Sequence, residues 1–267
     1  MGSKGDGIDV TVPGDARVYD WLLGGSINFE ADRRAGERLL HIAPTSRQLA
    51  VNNRLFLRRA VHALATEYGI RQFLDYGCGL PMDENLHQVV QRVDEDSRIV
   101  YVDNDPIVIA YGRESLDENN RTAMVRADMT DPDAVFGHRA TRALIRPDAP
   151  TAVLFSAVLH CVPDELDPAE VVRRVVSRLA PGSFVVISEL VSDDARIRAQ
   201  VTELMNRQLK RFWGRVRERR DVHAYFEGLD VERPGLVDVT DWRPQSEVRP
   251  HQRSLELTAF GGVARVP

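Results

Sequence analysis

The sequence predicts an α/β protein: a seven-stranded, mostly parallel sheet with an antiparallel last strand, covered by helices on both faces and preceded by a helical N-terminal cap. Three observations predict it. From Gln72 to Ser188, short β-branched apolar runs alternate with stretches of helical spacing, the mark of βαβ units. Those runs are apolar at nearly every position, as strands covered on both faces are. Beyond them, Leu236–Trp242 and Ser254–Val266 read as two strands with no helix between, joined by RPQSEVRPHQR, which is long enough for a hairpin.

The elements follow in order. Residues 1–14 are polar and glycine-rich and read as a flexible N-terminus. The cap spans 15–69. Its first helix carries Val18, Leu22 and Leu23 at helical spacing and stops at Gly24-Gly25. A second runs from Glu30 to His41, and a third from Ser46 to Tyr68, ended by Gly69. The sheet domain occupies 70–267. Its parallel strands are Gln72–Tyr76, Ile99–Asp103, Thr122–Ala127, Thr151–Ser156 and Ser183–Ser188, with helices at 84–93, 106–119, 131–137 and 167–180. Residues 193–218 read as one long polar helix, and His223–Gly228 as a short one.

Composition narrows the classes. A formal charge of -5 over 267 residues argues against a nucleic-acid coat or a membrane-surface protein. Only Lys4 and Lys210 among the 35 basic residues are lysines, so a mechanism through a buried lysine has almost no candidates. Two cysteines, Cys78 and Cys161, build neither a disulfide framework nor a zinc cluster, which fits a reducing cytoplasm. The start lacks the apolar core of a signal peptide, and no later run is long enough for a bilayer span.

The chemistry gathers at strand ends, where open α/β sheets bind ligands. After the first strand stands Asp75-Tyr-Gly77-Cys-Gly79. The glycines allow a sharp turn and close approach of a ligand. A dinucleotide fingerprint would place a third glycine where Met82 stands, and no Gly-Lys-Ser/Thr follows for a P-loop. Asp75 would repel a pyrophosphate and attract an ammonium. The ligand is therefore expected to be cationic or zwitterionic and free of phosphate, and S-adenosylmethionine fits. Asp103 ends the second strand 24 residues after Gly79, the position of a ribose-binding acid, with Asn104 beside it. Asp105, ahead of Pro106, is the competing candidate, with Asp103 then only a helix cap. Asp128 and the Met129 backbone, after the third strand, suit adenine, and Ser156 to Leu159 follow the fourth.

Asp75 to Gly79 resembles the D-x-G-x-G motif of class I S-adenosylmethionine-dependent methyltransferases. The longer stretches ARVYDWLLGGSINFEADR (16–33), NNRLFLRRAV (52–61), RQFLDYGCGLP (71–81), VYVDNDPIV (100–108), LHCVPD (159–164), LAPGSFVVIS (179–188), FEGLDVERPGLV (226–237) and WRP (242–244) resemble an actinobacterial family of S-adenosyl methyltransferases of formerly unknown function. The likeness spans roughly residues 14 to 266 and implies a Rossmann-like class I methyltransferase fold, S-adenosylmethionine binding and a helical extension over the cofactor. It implies no particular substrate. Cys78 replaces the small hydroxyl residue of many relatives and leaves the glycine frame intact.

Other candidates complete the reading. Tyr19, Gly25 and Asn28 lie in a segment that mixes polar and aromatic groups, as a lid over the methionine end of a cofactor would, or as a plain helical cover. Arg58 or Arg59 is positioned to pair with the cofactor carboxylate, or to form a surface ion pair. His160 follows the fourth strand, where a general base would sit, though a structural histidine fits better. The run KRFWGRVRERR (210–220) reads as a grip for an acidic substrate or RNA, or as a solvated helix end. No metal motif is present. The expected activity is methyl transfer from S-adenosylmethionine to a small molecule, in the cytoplasm, without membrane or nucleic-acid partners, and a homo-oligomer stays open. A cofactor-binding sensor without transferase activity is the alternative.

Overall fold

The structure, a computed structural model, describes residues 9–209, 213–244 and 257–267. Three helices come first: α1 (Asp15–Leu23), α2 (Glu30–Ile42) and α3 (Ser46–Thr66). Gly24, at a φ of 85°, turns the chain out of α1 and returns its amide to Trp21. The cap is tied inward by buried polar groups. Asp32, fully buried, accepts from the Gly14 and Phe29 amides and pairs with Arg17.

Then come β1 (Gln72–Tyr76), α4 (Leu86–Gln91), β2 (Arg98–Asp103), α5 (Pro106–Ser115), β3 (Thr122–Arg126), α6 (Pro132–Gly137), α7 (Arg139–Leu144), β4 (Ala152–Ser156), α8 (Pro168–Val176) and β5 (Phe184–Val191). A 3-10 turn at Leu159–Cys161 follows β4. Three helices start alike. Asp105, Asp131 and Asp167 accept backbone amides of the first turn, and proline takes the next position, where no donor is needed.

The chain closes with α9 (Ala195–Leu209), α10 (Arg219–Val222), β6 (Asp230–Val231), β7 (Val237–Asp238) and β8 (Thr258–Arg265). The sheet order is β3-β2-β1-β4-β5-β8-β6, with β7 also on β8. The first five strands are parallel, and β8 runs antiparallel to β5 from Phe184↔Arg265 to Val191↔Thr258. Alternate residues feed opposite faces. Phe73, Ile99 and Leu154 pack with α3, whereas Leu74, Val100 and Val153 pack with α8. The order turns between β1 and β4, so the Gly77–Gly79 turn lies at the switch point.

The sheet has eight strands among the described residues, close to the expected seven. The strand expected at Leu236–Trp242 is cut to two residues because Asp238 folds its carboxylate onto the Thr240 amide and hydroxyl, bending the chain. β6 was not expected. Of the strand expected at Ser254–Val266, residues 254–256 lie outside the described ones, as does most of the connecting segment. The helix expected over 193–218 ends at Leu209; residues 210–212 are outside the description. Beyond them the chain is extended. Trp213 and Val216 return their amides to Asn206 and Thr202 of α9, and Arg217 bridges Val191. Gly214 packs tightly here: a β-carbon on it would stand 2.3 Å from the Val162 carbonyl oxygen.

Candidate active site

A cavity of about 760 Å³ opens over the strand ends at the switch point. That lies in the upper part of the usual range for ligand sites. Its floor is the turn after β1. Gly77 and Gly79 hold φ of 65° and 68°, which other residues rarely adopt. A β-carbon on Gly77 would meet Val158 Cγ2 at 2.3 Å, whereas at Gly79 it would project into open space.

The amides of this turn are already used. Gly77 and Cys78 donate to the Val102 carbonyl, and Gly79 donates to Asp103 Oδ2 at 3.1 Å. A phosphate cradle needs such amides free, so the bare amides a diphosphate would require are missing here. Asp103 also accepts from Asn104 and Asp105 through Oδ1. Three of its roughly four acceptor positions are filled, leaving room for a hydroxyl donor. Burial raises its carboxyl pKa, against the pull of those amides. Asp105 also lines the cavity, but its carboxylate caps α5 by accepting from the Ile107 and Val108 amides.

Asp75 lies under the floor, 3% exposed and away from the cavity wall. Burial pushes its carboxyl up, Arg54 opposes, Asp103 adds, and the result is about 7. Asp128 and Met129 line the cavity after β3. The Asp128 carboxylate is engaged by the Thr130 amide and hydroxyl, an Asx turn that fixes the loop.

The cap forms the roof. Tyr19 and Gly25 line the cavity. Tyr19 donates to the Ala50 carbonyl and accepts from Asn53 Nδ2, which also reaches Ser156 Oγ at 3.1 Å. Ser188 Oγ donates to Asn53 Oδ1 at 2.5 Å, so one amide of α3 ties α1 to the end of β4 and to β5. Asn28 does not reach the cavity. It donates to Asp20 Oδ2 and the Gly25 carbonyl and so fixes the loop that does. Arg58 and Arg59 are also displaced from the expected place. Arg58 faces away and pairs with Glu84, and Arg59 is buried against the Val239 and Trp242 carbonyls. The arginine that lines the cavity, among the described residues, is Arg54, one turn earlier on the inner face of α3.

His160 lines the far end, in the 3-10 turn after β4. Its Nδ1 stands 2.9 Å from Oε1 of Glu189, a β5 residue with no exposed surface that also accepts from the Leu190 amide. Burial opposes charge on the ring, but Cys161 and Glu189 outweigh it and hold the ring pKa at about 10. Glu189 was missed because the fifth strand was ended at Ser188; an acid closing an apolar strand was the available signal. Asn53 and Arg54 stand in no motif that marks them in the sequence. The segment 213–217 builds this end of the site. Trp213 forms a wall with its ring centre 5.2 Å from that of His160, and Arg217 holds the Leu159 and Val162 carbonyls.

A pocket at the switch point of a sheet whose five parallel strands are followed by an antiparallel one defines the class: an α/β fold of class I methyltransferase architecture. The open space at Gly79, the spare acceptor position of Asp103 and the acids around the floor suit S-adenosylmethionine in shape and charge. The comparisons agree. The S-adenosyl methyltransferase family matches residues 1–267. A DUF574 family protein from Streptomyces avermitilis is 35% identical, with a TM-score of 0.88 over 97% of this chain and 99% of that one. A candidate methyltransferase from Thermobifida fusca is 34% identical, with a TM-score of 0.89 over 100% and 99%. The mitomycin 7-O-methyltransferase MmcR, at 19% identity and a TM-score of 0.51 over 96% of this chain and 74% of that one, shares the fold alone. Among curated proteins none matches. The chain belongs to the S-adenosyl methyltransferase family and is an S-adenosylmethionine-dependent methyltransferase. Among the described residues no helix is long and apolar enough to cross a membrane.

Proposed function

We propose that the enzyme methylates a small-molecule acceptor held between the cofactor floor and His160. The observation that supports this is one continuous cavity of about 760 Å³ reaching from Gly79 to His160. That continuity also favours transfer over cofactor binding alone. Bound S-adenosylmethionine supplies an electrophilic methyl group on a sulfonium. The protein contributes position and exclusion of water. Asp103, with Asn104, takes the ribose hydroxyls, and Asp128 and the Met129 backbone take adenine. Asp75 draws the ammonium from below the floor, and Arg54, in place of Arg58, takes the carboxylate. Tyr19, Gly25 and Ser156 enclose the methionine end, with Asn28 bracing the loop. On this reading residues 15–69 are the cap and 70–267 the catalytic domain. His160 touches the reacting atom of the acceptor.

Calorimetric titration with S-adenosylhomocysteine and with NADH tests the cofactor half. S-adenosylhomocysteine binds and NADH does not, and Asp103→Ala weakens binding roughly 10- to 100-fold through lost charge-assisted hydrogen bonds. Binding of NADH in preference to the adenosyl ligand overturns the reading.

A further inference from the structure

We propose that the acceptor is an apolar molecule that reacts through an acidic hydroxyl of the phenol type, bound as its anion against the His160 ring. The inference rests on the methyl-transfer reading above and adds the substrate class. It begins with Glu189. A carboxylate with no exposed surface needs a partner cation. Arg217, the other cation of this corner, directs its guanidinium to the Leu159 and Val162 carbonyls and to Asp164. The His160 ring, at 2.9 Å, is left to neutralise Glu189. Two further groups bear on the pair. Cys161 carries its thiol beside the ring, and the Tyr225 hydroxyl near Glu189 is pushed up by burial and stays neutral. The ring therefore meets the cavity as a proton donor bearing charge, not as a base.

The surrounding walls are apolar. Leu190 and Ala259 face the cavity from paired positions of β5 and β8, Val201 and Met205 from α9, and Trp213 stands against His160. None of these five side chains is charged. Other charged lining groups lie at the floor or on the cap, where Asp20 is engaged by Asn28. An amine would arrive protonated and meet a like charge. An ordinary phenol ionises at about pH 10 in water; an acidic one ionises at lower pH, and the imidazolium stabilises its anion further. The acceptor oxygen then takes the methyl group from the sulfonium, whose sulfur leaves as a neutral thioether, and the ring keeps its proton. The phenolic proton has already gone to solvent on binding.

The test uses 4-nitrophenol, whose anion absorbs in the visible, added to the protein saturated with S-adenosylhomocysteine. That nucleoside lacks the sulfonium charge, so any stabilisation of the anion comes from the protein. The bound probe shows the phenolate band below its solution ionisation point, with an apparent pKa lowered by about one unit or more. His160→Gln and Glu189→Gln each return the ionisation toward its solution value, and retained S-adenosylhomocysteine binding reports that each variant has folded. Benzylamine does not displace the probe. A probe bound in neutral form, a band indifferent to both substitutions, no saturable binding, or displacement by benzylamine overturns the proposal. Anion binding without S-adenosylhomocysteine binding instead refutes the cofactor reading on which the acceptor assignment rests, and leaves only an anion site at His160.

Discussion

Asp75 is a carboxyl whose charge is set by its burial beneath the site. Burial holds a proton on its carboxyl up to about pH 7, with Arg54 opposing and Asp103 adding. Between its unfolded pKa near 3.9 and that value the folded protein keeps a proton the unfolded chain has lost. The stability this contributes is complete below the unfolded pKa and disappears as pH rises through 7. Cofactor binding runs the other way. An ammonium near the carboxylate favours its ionised form, so binding below pH 7 releases a proton. Affinity for S-adenosylhomocysteine is expected to climb from about pH 6 to pH 7.5, by up to roughly tenfold per unit, and then level off. Asp75→Asn removes the slope. Calorimetry in two buffers of different ionisation enthalpy counts the released proton. A pH-independent affinity in the parent protein across that window would show that Asp75 and the ligand do not communicate.

The segment after α9 acts as a brace for the turn that carries His160. Arg217 grips that turn by the Leu159 and Val162 carbonyls, and Gly214 lies so close that a β-carbon would sit 2.3 to 2.4 Å from the Val162 and His160 carbonyl oxygens. Gly214→Ala overpacks this contact and is expected to cost about 1 to 3 kcal/mol. For a chain of this length that lowers Tm by roughly 2 to 10 °C. The His160 ring signals in a nuclear magnetic resonance titration should move with it. A variant with parental Tm and unmoved ring signals would show that the contact is slack. This brace also marks the limit of what could be read in advance. The five parallel strands and the switch-point turn were legible because buried strands repeat a local apolar pattern and glycine turns interrupt it. Arg217 was not, since a charged residue in a basic run looks solvated until the 159–164 turn is brought against it. Arg54 and Arg58 are separated by one helical turn, and only the packing of α3 decides which faces the ligand. Glu189 required knowing that β5 extends to Val191, an extension set by its antiparallel partner β8.

At the scale of the molecule, the cavity belongs to no single element. Its roof is α1 and α3, its floor the turns after β1 to β4, and its far wall Trp213, α9 and β8. The roof is tied to the floor chiefly through Asn53, which joins Tyr19 to Ser156 and Ser188. A ligand filling such a cavity should stabilise roof and floor as one body. At a hundred times its dissociation constant, S-adenosylhomocysteine adds about 2.7 kcal/mol to folding. For 250-residue chains that raises Tm by roughly 5 to 10 °C. Hydrogen exchange locates the effect. Amides of α1 and α3 and of the turns after β1 and β2 should slow together, to a similar degree, in the parent protein. Asn53→Ala leaves the Ser188 hydroxyl without its acceptor, costs about 1 to 3 kcal/mol, and separates the two regions. The floor still slows on ligand binding, because Asp103 and the glycine turn are intact, while the roof gains less. Equal protection of roof and floor in Asn53→Ala would mean that the ligand alone holds the cap down and that the polar tie is incidental.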